Sequence, residues 1–198
     1  MTSVAPVVLT VVAATLVVTL AWLVSVVRRA RRTVDTVVAG LHLLEVALDH
    51  RRLLVPELAR AAVGAELDRE AINQAVGARS WSAIVRERRV DLGARAAAEN
   101  ALSAAVHHLV CAGRESGRVR WDFTSAASEL DALERRIAGA VRVYNAHAAA
   151  LSGLVRSPLT GPVVRTLGIG APDLFVETAT APVHVLEVPD VPAPALAA

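Results

Sequence analysis

At 198 residues and 20.8 kDa the chain has room for one packed domain and a membrane segment, and its single cysteine, Cys111, excludes an intramolecular disulfide framework. Hydrophobic residues make up 54% and mean hydropathy is +0.46, above ordinary soluble usage, while 20% charged residues is too many for a multi-span membrane protein. No lysine occurs; the net charge of +2 and pI near 9.4 make the chain only mildly basic.

No charged side chain precedes Arg28, and the run from Val4 to Val27 is apolar almost throughout. As a helix it would span roughly 36 Å, enough for a hydrocarbon core of ~30 Å. The run is too long for a signal peptide and lacks a basic n-region, so residues 1–27 are expected to be a retained transmembrane anchor. Arg28, Arg29, Arg31 and Arg32 follow at once, in a basic juxtamembrane segment over 28–33. The positive-inside rule then puts the N-terminus outside and the rest of the chain in the cytoplasm, with Trp22 as an interfacial aromatic. The four arginines read first as topology determinants and second as a site for anionic lipid headgroups.

From Val34 a heptad stripe runs through Val37, Leu41, Leu44, Leu48, Val55, Leu58 and Ala62, with Arg51 occupying one seam position. Gly40 lies between seam positions, and Pro56 cannot donate to the Arg52 carbonyl, so a kink is expected there. The helix is expected to continue to about Val85, followed by a charged loop, "RERRVDLG". A second helix, "ARAAAENALSAAVHHLVCA", presents Ala98, Leu102, Val106 and Leu109 on one face and is expected to end at Gly113 in the left-handed conformation. After a turn, a third helix is expected from an N-cap at Asp122 to Ser157, where Pro158 stops it. Its seam reads Leu130, Leu133, Ile137, Ala140, Tyr144, His147, Leu151 and Leu154, which makes Tyr144 core-facing and His147 a structural histidine. The expected fold is all-α: an N-terminal transmembrane helix, then a long antiparallel bundle over 34–170 made of three long helices plus a short C-terminal one. Residues 171–198, rich in proline and alanine, are expected to form a largely disordered tail, in which "VHVLEV" alternates and could add to a partner's sheet edge.

Three segments carry a family resemblance. "RRLLVPEL" (Arg51 to Leu58), "ERRIAGAVRVYNAH" (Glu134 to His147) and "TLGIGAPDLFVE" (Thr166 to Glu177) resemble, in this order, segments of LemA family proteins. Arg51, Arg52, Pro56, Tyr144 and Asn145 match at the expected places. Glu57 stands where the family has Asn, and "GAELDRE" replaces its usual Tyr-Ala-x-His-Glu stretch. The resemblance implies a divergent member: a membrane-tethered cytoplasmic bundle, with Arg51, Arg52, Pro56, Tyr144 and Asn145 as structural or partner-contact positions. It implies no catalytic residue.

Other chemistry is thin. His107 and Cys111 stand at i and i+4 and could supply two metal ligands, which gives a second reading as a metal-binding or enzymatic bundle. "GIG" at Gly168 to Gly170 lacks the strand and helix that a phosphate loop needs, and the arginines of "RERRV" and "RVRW" have acidic neighbours, which argues against nucleic acid. The expected function is therefore a non-catalytic interaction or scaffold protein at the cytoplasmic face of the cell membrane, single-pass, with no catalytic, cofactor or metal residues. Its partners would be the bilayer and an unidentified protein. Arg51, the one charge on its seam, is expected to meet Tyr144 or Asn145 across the bundle.

Overall fold

The computed structural model describes residues 4–88, 90–117 and 120–176, and among them every regular element is helical. Five helices follow one another: α1 (Val4–Gly64), α2 (Arg69–Glu87), α3 (Leu92–Glu115), α4 (Trp121–Arg156) and α5 (Gly161–Thr166). The fold is all-α, with one long N-terminal apolar helix leading into the packed helices.

α1 is a single helix of 61 residues, about 90 Å long at ~1.5 Å per residue. Its apolar N-terminal part is long and apolar enough to cross a membrane. Every side chain from Val7 to Ser25 is exposed, and burial begins at Val26. Farther on, Val37, Leu44, Leu48, Arg51, Val55, Leu58 and Ala62 face the core, as the heptad stripe predicts.

The helix does not run on to Val85. It ends in a Schellman turn: the Leu67 amide donates to the Ala62 carbonyl at 3.1 Å and the Glu66 amide to the Val63 carbonyl at 3.0 Å. Glu66 takes the left-handed conformation (φ 55°) where glycine is usual, while Gly64 lies two residues too early to mark the stop. Leu67 is buried against the core, and Asp68 then caps α2, accepting from the Glu70 amide at 3.2 Å. The expected first long helix is thus two helices.

α3 also differs at its end. Gly113 lies inside the helix, which runs two residues further to Glu115, and it is Gly117 that has positive φ. A Cβ on Gly113 would run into the Phe123 ring, so this glycine makes room for an aromatic from α4. α4 begins at Trp121 with Arg120 at the N-cap, so Asp122 sits in the first turn instead of capping it. Its seam also shifts by one: Tyr144, Ala148 and Leu151 are buried, and His147 is only half-buried at the edge.

α1 packs along α4 and α2 along α3 as antiparallel pairs. Between α3 and α4, Arg114 pairs with Asp131 at 3.0 Å on the surface, and Phe123 packs at Gly113 in the core. α2 and α3 are tied to α1 through Arg95–Glu45 (2.9 Å) and Arg86–Asp49. Nearer the N-terminal end of α1, the bundle is completed by α5 and by the segment 169–176, whose Ile169 and Phe175 join the core. The tail expected from residue 171 is therefore packed as far as residue 176. "VHVLEV" and the Pro/Ala-rich end lie outside the described residues.

Candidate functional site

Arg51 is 2% exposed and sits where the four longer helices meet. Its Nη2 donates to the Glu99 carboxylate and to the Glu99 carbonyl (3.1 Å) of α3. Its Nη1 donates to Ser103 Oγ at 2.9 Å and to Glu134 Oε1 of α4 at 3.0 Å. Arg52 lies 3.3 Å from the other Glu99 oxygen, and Ser82 of α2 donates to that oxygen at 2.6 Å. Ser103 closes the set by donating to Glu134 at 2.9 Å. Arg52 also lies 3.3 Å from Asp49, so two guanidiniums face three carboxylates, and the two hydroxyls donate to Glu99 and Glu134. Burial pushes the Arg52 guanidinium below its ordinary range; Glu99 opposes this, while Arg51 and Arg95 add to it.

Arg51 therefore meets two glutamates, not Tyr144 or Asn145. The reason is axial position: Tyr144 packs at Gly40, eleven residues along α1 from Arg51, whereas Glu134 comes level with Arg51. Neither Glu99 nor Glu134 stands out in the sequence: Glu129 and Asp131 also flank the α4 seam, and a buried arginine gives no rule for which acid supplies its carboxylate. Pro56 is accommodated in the same neighbourhood. α1 stays helical through it, and the Arg52 carbonyl, which loses its usual donor, accepts from Arg79 Nε of α2 at 2.9 Å.

Tyr144 and Asn145 act on the C-terminal segment. The Tyr144 hydroxyl donates to the Asp173 carbonyl at 2.7 Å. Asn145 binds Phe175 reciprocally: its Nδ2 donates to the Phe175 carbonyl at 2.8 Å, and the Phe175 amide donates to its Oδ1 at 2.9 Å. One side-chain amide thus replaces a strand partner for residue 175. Asn100 of α3 adds a bond to the Val176 carbonyl at 2.9 Å. Burial, with the Asp173 charge nearby, raises the Tyr144 phenol above its ordinary range.

Arg28, Arg29 and Arg32 line a groove together with Ala21, Val24 and Ser25 on one side and His147 and Ala150 of α4 on another. Apolar walls thus pass into basic ones along the groove. Arg31 is exposed and is not part of it. His107 Nε2 and Cys111 Sγ are 3.5 Å apart, and among the described residues no group of three or more His, Cys, Asp or Glu could hold a metal. On the side of α1 turned away from the core, Leu43, Val46 and Leu53 recur at heptad spacing and are exposed, flanked by Val38.

No family model and no curated protein matches this chain. Within it, the three segments that carry the resemblance are joined in space: Arg51 of the first binds Glu134 of the second, whose Tyr144 and Asn145 hold Asp173 and Phe175 of the third.

Proposed function

We propose that this chain is a single-pass, membrane-anchored helical scaffold of the LemA type. The observation that carries this reading is the continuity of α1, which passes without a break from an exposed, charge-free apolar run into the charge-clamped layer at Arg51. A helix built this way couples an anchor rigidly to a bundle. The contacts joining the three resembling segments support the family reading, because residues far apart in sequence serve one architecture. The four arginines after Val27 orient the bundle to the cytoplasm and leave the N-terminus outside.

The role is non-catalytic. The buried charged groups, Arg51 and Glu99, are engaged with one another and closed off from solvent, as in a structural clamp. The exposed stripe of Leu43, Val46 and Leu53 gives the scaffold an apolar face for a protein partner.

The test is cysteine accessibility in intact cells. Trp121 is 80% exposed at the far end of the bundle. Trp121→Cys in a Cys111→Ser background is expected to react with a membrane-impermeant maleimide only after permeabilisation. Reaction in intact cells would overturn the orientation.

The groove favours a second reading, binding of an anionic phospholipid, since its apolar wall suits acyl chain and its Arg28, Arg29 and Arg32 suit a headgroup. Salt-sensitive retention of anionic lipid by the purified full chain, lost in an Arg28→Ala/Arg29→Ala/Arg32→Ala variant, is the expected result. Equal retention of neutral lipid would remove this reading.

A further inference from the structure

The turn between α4 and α5 holds a large apolar side chain out of the fold. Leu159 is 74% exposed, with Pro158 and Pro162 exposed beside it. The turn is well tied: the Thr160 hydroxyl donates to the Leu154 carbonyl at 2.8 Å, and the Gly161 amide donates to the Ser157 carbonyl at 2.8 Å. A Cβ on Gly161 would strike the Val155 carbonyl, so the close reversal depends on glycine. Leu159 is therefore presented by a built turn.

Its axial level follows from the α1/α4 register. The Tyr144 backbone packs at Gly40, and the two helices are antiparallel. From Tyr144 to Arg156 α4 rises about 18 Å at ~1.5 Å per residue, which brings Arg156 level with Arg28 on α1. The turn 157–160 comes next, at the end of the charge-free run. α5 confirms the level from its own side: Val164, fully buried, packs with Val26 and Ala30. Val26 is one residue before the end of the run.

We propose that the α4–α5 turn is a second membrane contact, in which Leu159 enters the interfacial layer of the leaflet that α1 leaves at Arg28. This rests on the reading of the apolar run as a membrane span, and the occupant is then fixed by continuity: a bilayer that covers the exposed Val24 meets a turn held at its level, since α5 packs on the neighbouring Val26. Arg28, Arg29 and Arg32 on α1 and Arg156 at the end of α4 stand at headgroup height beside it. Two contacts, the span and the turn, fix the tilt of the bundle on the membrane where a span alone leaves it free to swing.

The experiment uses the full chain in vesicles of phosphatidylcholine and phosphatidylglycerol, with Cys111→Ser and one environment-sensitive fluorophore at Leu159→Cys, Leu16→Cys or Trp121→Cys. All three native side chains are exposed, so the fold is retained. A lipid carrying a quencher near the headgroup is expected to remove most of the emission at position 159 and little at position 121. A quencher deep in the acyl chain is expected to act on position 16. Emission at 159 as resistant as at 121, with position 16 quenched, overturns the second contact and leaves the span intact. Position 16 unquenched by the deep probe overturns the span itself, and the inference with it.

Discussion

The bundle holds its two halves together by different chemistry. Around Arg51, four helices surround a layer of opposed charges, with Arg51 and Glu99 both buried and Ser82, Ser103 and Glu134 completing their bonds. Around Tyr144, α1 and α4 lie side by side as an antiparallel pair, and the packing there is completed by the segment 169–176, held by neutral hydrogen bonds and by the Phe175 ring. The comparison teaches that the first half is locked by groups that lose heavily if separated, whereas the second is a docked segment that can be released piecemeal.

The largest test of this difference is Glu99→Ala, which leaves Arg51 buried opposite a lost carboxylate. It is expected to cost about 3–5 kcal/mol in denaturant unfolding of the full chain. A change under ~1 kcal/mol would mean that the layer is hydrated and contributes as a surface ion pair does. Asn145→Ala is next in size. It removes both bonds to Phe175 and should cost about 1–3 kcal/mol, since it orphans a backbone amide and a carbonyl.

Tyr144→Phe should cost on the order of 1 kcal/mol, the net value of the bond to Asp173. It has a pH signature as well. The phenol is raised in the folded state, so folding favours its protonated form. That stabilisation is complete below about pH 10, the ordinary tyrosine value, and is lost as pH rises through the folded value. With one tyrosine and no lysine in the chain, tyrosinate absorbance against pH reads this group directly, and the alkaline loss should vanish in Tyr144→Phe. Smallest is Gly40→Ala. A Cβ there would meet Tyr144 at 3.4 Å, ordinary contact, so the variant should gain up to ~1 kcal/mol of helix propensity, read as a raised unfolding midpoint. A loss would show that α1 and α4 are closer at this level than Gly40 requires.

Much of this architecture was legible in the residues. The heptad stripe named Val37, Leu44, Leu48, Val55, Leu58 and Ala62 of the α1 core but not Val26, Ala30, Leu54 or Ala59, and the seam of α4 placed Tyr144 correctly, because a 3.5-residue repeat survives whatever partner buries it. The break after Gly64 was not legible. Its left-handed position is filled by glutamate, so the usual glycine signal was absent, and the buried Leu67 that secures the turn reads in sequence as one more apolar residue. The partners of Arg51 and of Tyr144 were missed for a different reason. Choosing between Glu134 and Tyr144 needs the axial register of α4 against α1, and periodicity fixes only the face of a helix, not its height. The Asn145 clamp on Phe175 was hidden for the same reason, since one of its two halves is backbone.

Native-state hydrogen exchange on the full chain, wild type against Asn145→Ala, tests the division between the two halves most directly. The account predicts that the Phe175 amide, which donates to Asn145 in the wild type, exchanges much faster in the variant, while the slow amides of α1, α3 and α4 flanking Arg51, such as those of Leu102 and Leu133, keep their protection. Equal acceleration at Phe175, Leu102 and Leu133 would contradict it, because the docked segment and the charge-clamped layer would then open as one unit.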